Sequence, residues 1–192
     1  MVLRVNAKGE DGPGKYVTIQ NAVNAAVPGD TIIVHPGEYH EGGCLVVTKA
    51  LTIIRDPSPE FQDEEVVLNA SLVFFGDTGR IEGITIRYIP GGHPVTEPSA
   101  TSPRVDSKDR WLEVRGTSEV VIEHCAVTGS VIVSDRSNPT VVHNTIKQAS
   151  RHGLLIEGRS RGTFERNTIM NSSNAGVVVR GEAEPVIREN KV

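Results

Sequence analysis

The sequence predicts an all-β chain that coils into a right-handed parallel β-helix, a solenoid preceded by an N-terminal capping α-helix. Three observations predict this fold. Apolar and polar residues alternate at period two, residues 131–153 and 154–176 repeat one another, and glycine is frequent whereas aromatic residues make up only 4% of the chain. A stack of short Val/Ile strands with glycine corners needs few aromatic side chains, because each coil is covered by its neighbours.

The repeat places an asparagine at one fixed position of each segment. Asn144, Asn167 and Asn190 coincide, and Cys125 takes this position in a looser copy over residues 111–130. An asparagine in a tight bend tolerates the left-handed conformation, and its amide can hydrogen-bond to the same position one coil away. We therefore expect a structural asparagine column that is interrupted by a buried cysteine.

Apolar residues two positions apart point to one face of a strand, so the register stacks them into columns. The first two columns are Leu112/Val114, Val131/Val133, Leu154/Ile156 and Val177/Val179. The next two are Ile122/Val127, Val141/Ile146, Phe164/Ile169 and Ile187/Val192. Period-two alternation argues against a helical repeat, and the leucine framework of leucine-rich repeats is absent.

Outward-facing charges at equivalent positions of the last two repeats have opposite signs. The expected pairs are Glu157–Arg180, Arg159–Glu182, Arg161–Glu184, Glu165–Arg188 and Arg166–Glu189. Adjacent strands favour opposite charges, although each exposed pair contributes only about 0–1 kcal/mol. The pairing supports the alignment and argues against an anion site at these arginines.

The N-terminal segment differs in kind from the repeats. Residues 18–27 predict an amphipathic capping helix with Thr18 as N-cap, and Pro28–Asp30 predict its end. Strands are then expected over Thr31–Val34, Cys44–Val47, Leu51–Ile54, Val66–Leu68 and Leu72–Phe75, with a turn over Pro36–Tyr39. The helix would cover the open end of the solenoid core.

We expect residues 1–192 to form a single β-helix domain with one interruption. Residues 90–109 are proline-rich and lack apolar periodicity, which predicts an inserted loop. The sequence stops at Val192 in mid-coil without a polar cap. We therefore expect a truncated final coil in an excerpt of a longer repeat array, the alternative being an end covered by another molecule.

Composition restricts the partners and the compartment. A net charge of −4 predicts no nucleic-acid partner, and no apolar run is long enough to span a bilayer. The N-terminus lacks the apolar segment of a signal peptide. With only two cysteines, a disulfide framework or zinc-finger spacing is not expected. These features predict a cytoplasmic protein, with the nucleus as the alternative, and no membrane partner.

Two stretches resemble known β-helix proteins. The first is YVTIQNAVNAAVPGDTIIVHPGEYHEG, which resembles the opening of pectin-lyase-like β-helix proteins. The second, residues 143–192, resembles the repeats shared by carbohydrate-binding proteins and sugar hydrolases, in the version found in F-box substrate receptors and Shc-SH2-binding proteins. This resemblance implies a non-catalytic module that binds a protein partner, as the substrate-reading part of a ubiquitin ligase or as a signalling scaffold. No F-box is recognisable in the sequence.

Polysaccharide hydrolases and lyases also use this fold, so the fold by itself does not exclude catalysis. Glycoside hydrolysis needs two carboxyl groups about 5–10 Å apart. The cluster Asp63–Glu65 predicts a solvated turn, Asp77 and Asp135 predict turns, and the glutamates of the repeats are expected to pair with arginines. Lyase chemistry would need clustered carboxylates holding calcium, and no such column is present. We predict no catalytic residue.

The histidines and cysteines predict no metal site or cofactor either. The histidines are His35, His40, His93, His124, His143 and His152, and they lack metal-ligand spacing. His124 and His143 are expected to be surface neighbours. Cys125 follows His124 directly, and adjacent residues of a strand face opposite sides. A core cysteine is therefore expected at this position instead of a Cys–His nucleophile.

Three functional hypotheses remain, and the sequence identifies no binding residues. The first is protein recognition through the flat side of the solenoid and the 90–109 insertion. The second is a glycan-binding or glycan-cleaving protein, although Trp111 and Tyr88 alone do not make a platform for sugar rings. The third is a structural solenoid that self-associates through its open C-terminal end.

The predicted register has a direct test. Val133→Asp or Ile156→Asp should abolish the stacked structure, because each places an unpaired charge in the core. Circular dichroism during thermal unfolding is the measurement, and Arg159→Gln is a surface control. Cooperative unfolding retained in either aspartate variant would contradict the register.

Overall fold

The structure, a computed structural model, describes residues 1–10, 12–76, 78–87 and 110–192, with the backbone alone of Arg110. The described strands form three parallel sheets, here named A, B and C, around one core. Along the chain, each coil contributes one strand to sheet A, then one to sheet B and then one to sheet C. The predicted right-handed parallel β-helix is confirmed.

The strands follow one another across each sheet from coil to coil. Sheet A contains β2 (Lys15–Tyr16), β1 (Val2–Val5), β3 (Thr31–Val34), β6 (Leu51–Arg55), β9 (Thr78–Glu82), β12 (Glu119–Glu123), β15 (Thr140–Val142), β18 (Thr163–Glu165) and β21 (Val186–Arg188). Sheet B contains β4 (Gly37–Tyr39), β7 (Val66–Leu68), β10 (Ile84–Ile86), β13 (Ala126–Thr128), β16 (Thr145–Lys147) and β19 (Thr168–Met170). Sheet C contains β5 (Cys44–Val47), β8 (Ser71–Phe74), β11 (Arg110–Val114), β14 (Ser130–Val133), β17 (His152–Ile156) and β20 (Ala175–Val179).

The core contains the apolar columns that the repeat predicts, except for their last members Val179, Ile187 and Val192, which are exposed. On sheet C, Val133 pairs with Ile156 and Ile156 with Val179. On sheet A, Ile122 pairs with Val141 and Val141 with Phe164, while on sheet B Val127 pairs with Ile146 and Ile146 with Ile169. The stack therefore buries Val, Ile and Leu between coils, as required when no single coil can cover its own apolar side.

Two features of the first coils differ from the prediction. The expected turn over Pro36–Tyr39 is wrong, because Gly37–Tyr39 forms β4 and pairs with Val66–Leu68. Tyr39 is buried there, and its hydroxyl donates to the carbonyl of His35 at 2.7 Å. A large side chain that anchors a strand in the core thus outweighs the local turn signal of Pro36-Gly37. The predicted insertion at 90–109 lies outside the described residues.

A short helix, α1 (Ile19–Ala25), covers the N-terminal end of the core. Ile19, Ala22 and Val23 face the core, and the hydroxyl of Thr18 accepts from the amide of Asn21 at 3.2 Å. The helix therefore begins at the N-cap that the sequence indicates. It ends at Ala25, before the Pro28–Asp30 stop signal.

Charged side chains from one later segment hold both ends of α1. The buried carboxylate of Glu41 accepts from the amides of Ile19 and Gln20 at 2.6 and 3.1 Å. Burial raises the pKa of Glu41, although these two donors act in the opposite direction. At the other end the ammonium group of Lys49 donates to the carbonyls of Val23, Asn24 and Ala26. A negative group at the start and a positive group at the end both match the helix dipole.

An asparagine ladder runs through the turns from sheet A to sheet B. The side-chain oxygen of Asn144 accepts from the amide of Cys125 at 2.9 Å, that of Asn167 from Asn144 at 3.0 Å, and that of Asn190 from Asn167 at 2.9 Å. The predicted inter-coil bonds and the place of Cys125 in the column are confirmed. Each asparagine thus satisfies a backbone donor of the preceding coil at a buried corner.

The conformational part of the asparagine prediction is wrong. The positive φ angles belong to the residue before each ladder position, at His124 (51°), His143 (56°), Arg166 (53°) and Glu189 (54°). The corner needs two residues: the first turns the chain in the left-handed region and faces solvent. The second points inward, where its amide reaches the neighbouring coil.

A column of serines supports the turns from sheet C to sheet A. The hydroxyls of Ser118, Ser137 and Ser160 donate to the carbonyls of Arg115, Ser134 and Glu157 at 2.6, 2.6 and 2.7 Å. All three serines are fully buried. Each hydroxyl donates to a carbonyl within its own turn, and the carbonyls of Arg115 and Ser134 also accept the amides of Ser118 and Ser137. These buried polar groups are therefore paired within the turn itself.

Lys49→Met should lower the free energy of unfolding by about 1–3 kcal/mol, because three carbonyls at the end of α1 lose a charged donor. Urea unfolding followed by circular dichroism measures this change. Lys191→Met, at an exposed lysine of the last coil, is the matched control. Equal stability of the Lys49 variant and the natural chain would contradict the capping role.

Cys125→Asn should raise the free energy of unfolding by about 0.5–1.5 kcal/mol. The Sγ atom of Cys125 lies 3.2 Å from the carbonyl oxygen of Glu123. At the equivalent position of the next coil, the side-chain NH₂ group of Asn144 donates to the carbonyl of Val142. An asparagine would extend the ladder by one coil. Cys125→Ala is the control in the same unfolding experiment, and an asparagine variant no more stable than the alanine variant would refute the extension.

Candidate functional site

The outward carboxylates of the last repeats are engaged by arginines. All five predicted pairs are present, with the nitrogen–oxygen distances Glu157–Arg180 2.6 Å, Arg159–Glu182 2.8 Å, Arg161–Glu184 3.0 Å, Glu165–Arg188 2.6 Å and Arg166–Glu189 2.8 Å. Each pair joins neighbouring coils. These glutamates form a charge ladder rather than a pair of carboxyl groups placed for acid–base chemistry.

A different group of charges lies earlier, where β9 and β12 meet on sheet A. The Nη2 atom of Arg80 lies 2.9 Å from Glu82 Oε2 and 2.7 Å from Glu123 Oε1. Glu82 and Glu123 are direct neighbours in the register of the two strands. One guanidinium thus holds two carboxylates of adjacent coils on the outer face of the sheet.

Two histidines extend this group along the corner between sheets A and B. The rings of His124 and His143 stack with centroids 5.3 Å apart and an angle of 4° between their planes. His124 Nδ1 lies 3.9 Å from Glu123 Oε2. Both histidines are exposed, which confirms the expectation that they are surface neighbours. We call Arg80, Glu82, Glu123, His124 and His143 the polar strip.

The polar strip combines charged hydrogen-bonding groups with exposed aromatic rings on a rigid support. Arg80 and Glu82 are 46% and 38% exposed, so solvent reaches both partners of the ion pair. Guanidinium and imidazole groups donate, carboxylates accept, and the ring edges and faces offer flat contact surfaces. Three consecutive coils contribute to it, so its groups follow the spacing of the strands.

A second charged cluster surrounds the buried carboxylate of Asp56. Its Oδ1 atom accepts from the amide and hydroxyl of Ser58 at 2.9 and 2.6 Å, whereas Oδ2 lies 3.3 Å from His35 Nδ1 and 3.5 Å from Arg4 Nη1. Burial acts against ionisation, but Ser58, His35 and Arg4 together hold the pKa of Asp56 below its ordinary value. The ring of His35 meets Phe61 edge-on at 5.5 Å.

The Asp56 cluster does not form a nucleophilic triad. Ser58 donates its hydroxyl to Asp56 rather than to His35, so the base that would activate it is not in contact. The cluster instead neutralises a buried carboxylate at a corner between coils.

The aromatic residues considered as sugar platforms are not available as such. Trp111 is buried, and its ring covers Gly129, where a Cβ atom would lie 1.4 Å from the indole Cδ1. Tyr88 lies outside the described residues. Phe75, which the sequence analysis did not select, is exposed beside Gly116 of the next coil. A single exposed phenyl ring does not make a platform.

The cysteines and the other candidate ligands form no reactive centre in the part of the chain that the structure describes. Burial raises the pKa of the Cys44 thiol and raises that of Cys125 to about 12, so both favour the unreactive thiol. No three His, Cys, Asp or Glu side chains of the described ranges come together as a metal site. Asp63–Glu65 are exposed and Asp135 lies in a turn, as expected, while Asp77 and His93 are outside those ranges.

Sequence reasoning missed the polar strip. Arg80 and Glu82 lie before the recognised repeats, and the insertion separates them along the chain from Glu123. A signal was present, because residues 81–86 resemble residues 141–146, which indicates one more equivalent coil. Following that register would have placed Glu82 beside Glu123.

None of the described helices is long and apolar enough to cross a membrane. The predicted cytoplasmic location, the nuclear alternative and the single-domain assignment of residues 1–192 stay predictions.

Comparisons with known proteins identify the fold family. A family model described as a right-handed beta helix region matches residues 75–192. A crystal structure of pectin methylesterase from Aspergillus niger is similar over 98% of this chain and 84% of its own, at 11% identity and a TM-score of 0.43. No curated protein matches the sequence. These comparisons do not support the resemblance to F-box substrate receptors and Shc-SH2-binding proteins. The chain belongs to the right-handed β-helix family.

Proposed function

We propose that this chain is a non-catalytic carbohydrate-binding β-helix whose binding surface is the polar strip. The observation that carries the proposal is the junction of Arg80, Glu82 and Glu123 beside the stacked rings of His124 and His143. Carbohydrates present rows of hydroxyl groups that donate and accept hydrogen bonds, and ring faces that pack on flat aromatic groups. The strip offers both kinds of contact on one exposed surface.

The regular spacing of the strip suits an extended glycan. Glu82 and Glu123 are in register on adjacent strands, which lie about 4.8 Å apart in a β-sheet. This spacing is close to the length of one sugar residue in an extended chain. The rigid stack of coils holds the groups in place before binding, so little conformational entropy is lost when the glycan docks.

The strip supports binding better than cleavage. Both carboxylates accept from Arg80, and the side chains lie on an open face. Glycoside cleavage needs one carboxyl group that keeps a proton and a second that acts as base or nucleophile, in a site that positions the bond between them. Arg80 binds both carboxylates at once, so neither is placed to flank a glycosidic bond.

A protein partner, the first hypothesis from the sequence, is a weaker match to this surface. Stable protein interfaces usually contain an apolar centre within a polar rim. The strip is charged, and its apolar neighbours Val121 and Val142 are only partly exposed. Protein recognition therefore serves as the alternative outcome of the test below.

The test is a glycan array probed with residues 1–192, followed by calorimetric titration of the best ligand. The double variant His124→Ala/His143→Ala and the variant Arg80→Gln should each weaken binding at least about tenfold, because each removes contacts worth about 1.4 kcal/mol or more. Arg159→Gln removes a comparable exposed arginine–glutamate pair on another turn, and it should leave binding unchanged.

Two outcomes would overturn this function. The first is an array without a specific ligand together with capture, from cell extract, of a protein whose binding the strip variants abolish; this would establish protein recognition. The second is glycan binding that survives the strip variants. Circular dichroism confirms that each variant keeps its fold.

A further inference from the structure

A groove of about 530 Å³ opens at the N-terminal end of the solenoid, away from the polar strip. It lies between β2 and α1 and is lined by Gly12, Lys15, Tyr16, Asn21, Asn24 and Ala25. The groove is shallow and open, because Lys15, Asn21, Asn24 and Ala25 are all exposed. The groove has no part in the charge ladder or in the proposed glycan surface.

Several polar side-chain groups of this groove have no partner among the described residues. The exposed ammonium group of Lys15 has no ion-pair partner among the described residues, and the side-chain amide of Asn21 has no hydrogen bond there. The side-chain oxygen of Asn24 already accepts from Gln20 at 2.9 Å. Asn24 therefore offers only its NH₂ group to a ligand.

Charge at the groove favours an anion. The ammonium group of Lys49 binds the carbonyl of Asn24 at 2.9 Å, which places a second positive charge at a residue that lines the groove. The nearby carboxylate of Glu41 is held by the amides of Ile19 and Gln20 at the opposite end of α1. Asn24 and Ala25 lie at the C-terminal end of α1, where the helix dipole is negative, and Lys49 offsets this charge through three carbonyls. The charge that is available to an anion at the groove therefore comes from Lys15, together with the side-chain NH₂ groups of Asn21 and Asn24.

Tyr16 gives the groove a flat, partly apolar wall. It packs against the core cluster and is half-buried, and its backbone carbonyl accepts from the amide of Asn6 at 2.9 Å. A ring fixed in this way can stack on a planar or cyclic group without losing side-chain freedom.

We propose that this groove binds a small phosphate or sulfate monoester that carries a ring. The oxyanion contacts Lys15 and the amide groups of Asn21 and Asn24, and the ring lies against Tyr16. Phosphate and sulfate esters share this chemistry, and the experiment separates them.

The experiment is a titration of ¹⁵N-labelled residues 1–192, followed by amide chemical shifts, with phenyl phosphate and phenyl sulfate as separate probes. Phenol and inorganic phosphate supply the ring and the anion alone. One or both esters should shift the amides of residues 12–25, and Lys15→Gln should weaken that binding about tenfold, because a charged hydrogen bond is lost. Lys191→Gln, at an exposed lysine of the last coil, should leave it unchanged.

Three results would overturn the proposal. Neither ester shifting these amides at millimolar concentration would show that the groove is not an anion site. Equal loss in Lys15→Gln and Lys191→Gln would show general charge attraction. Phenol or inorganic phosphate binding as tightly as the esters would show that the ring and the anion are not recognised together.

Discussion

The register of each coil on the next is the constraint on which the rest of this structure depends. Parallel strands must stack residue on equivalent residue, because a shift by one position would turn the apolar side chains of a coil outward. Asn144, Asn167 and Asn190 enforce the register at one corner, where each side-chain oxygen accepts from the backbone of the coil before it. Ser118, Ser137 and Ser160 close the opposite corner from within.

At the N-terminal end of the core, the stacked coils meet a helix. Helix α1 covers the core there, and a seven-residue helix is too short to be stable alone. Glu41 and Lys49, which flank β5, bind the two ends of this helix. The cap is thereby tied to the coil that it protects, so the helix and the first coil should unfold together.

The same register also determines which outward-facing charged side chains become neighbours on the surface. In the last coils it places every outward glutamate of the ladder beside an arginine, which satisfies the charges and leaves no acid–base pair. At β9 and β12 it brings Glu82 and Glu123 together, and Arg80 pairs with both. Stacked His124 and His143 continue that row. The surface that we propose for glycan binding is therefore the place where the alternation of charge is broken.

The sequence by itself determined the repeat, the apolar columns, the asparagine ladder and the five charge pairs, because each depends only on equivalent positions one coil apart. Tertiary structure decided what depends on contacts between unlike segments. Burial of Tyr39 makes a turn-like segment a strand of sheet B. The left-handed conformation belongs to the residue before each ladder position. Glu41 and Lys49 bind the two ends of α1. Arg80 and Glu82 joined Glu123 across an insertion that hides their register in the sequence. Periodicity reveals partners only where the repeat is unbroken, whereas elsewhere the folded chain must bring them together.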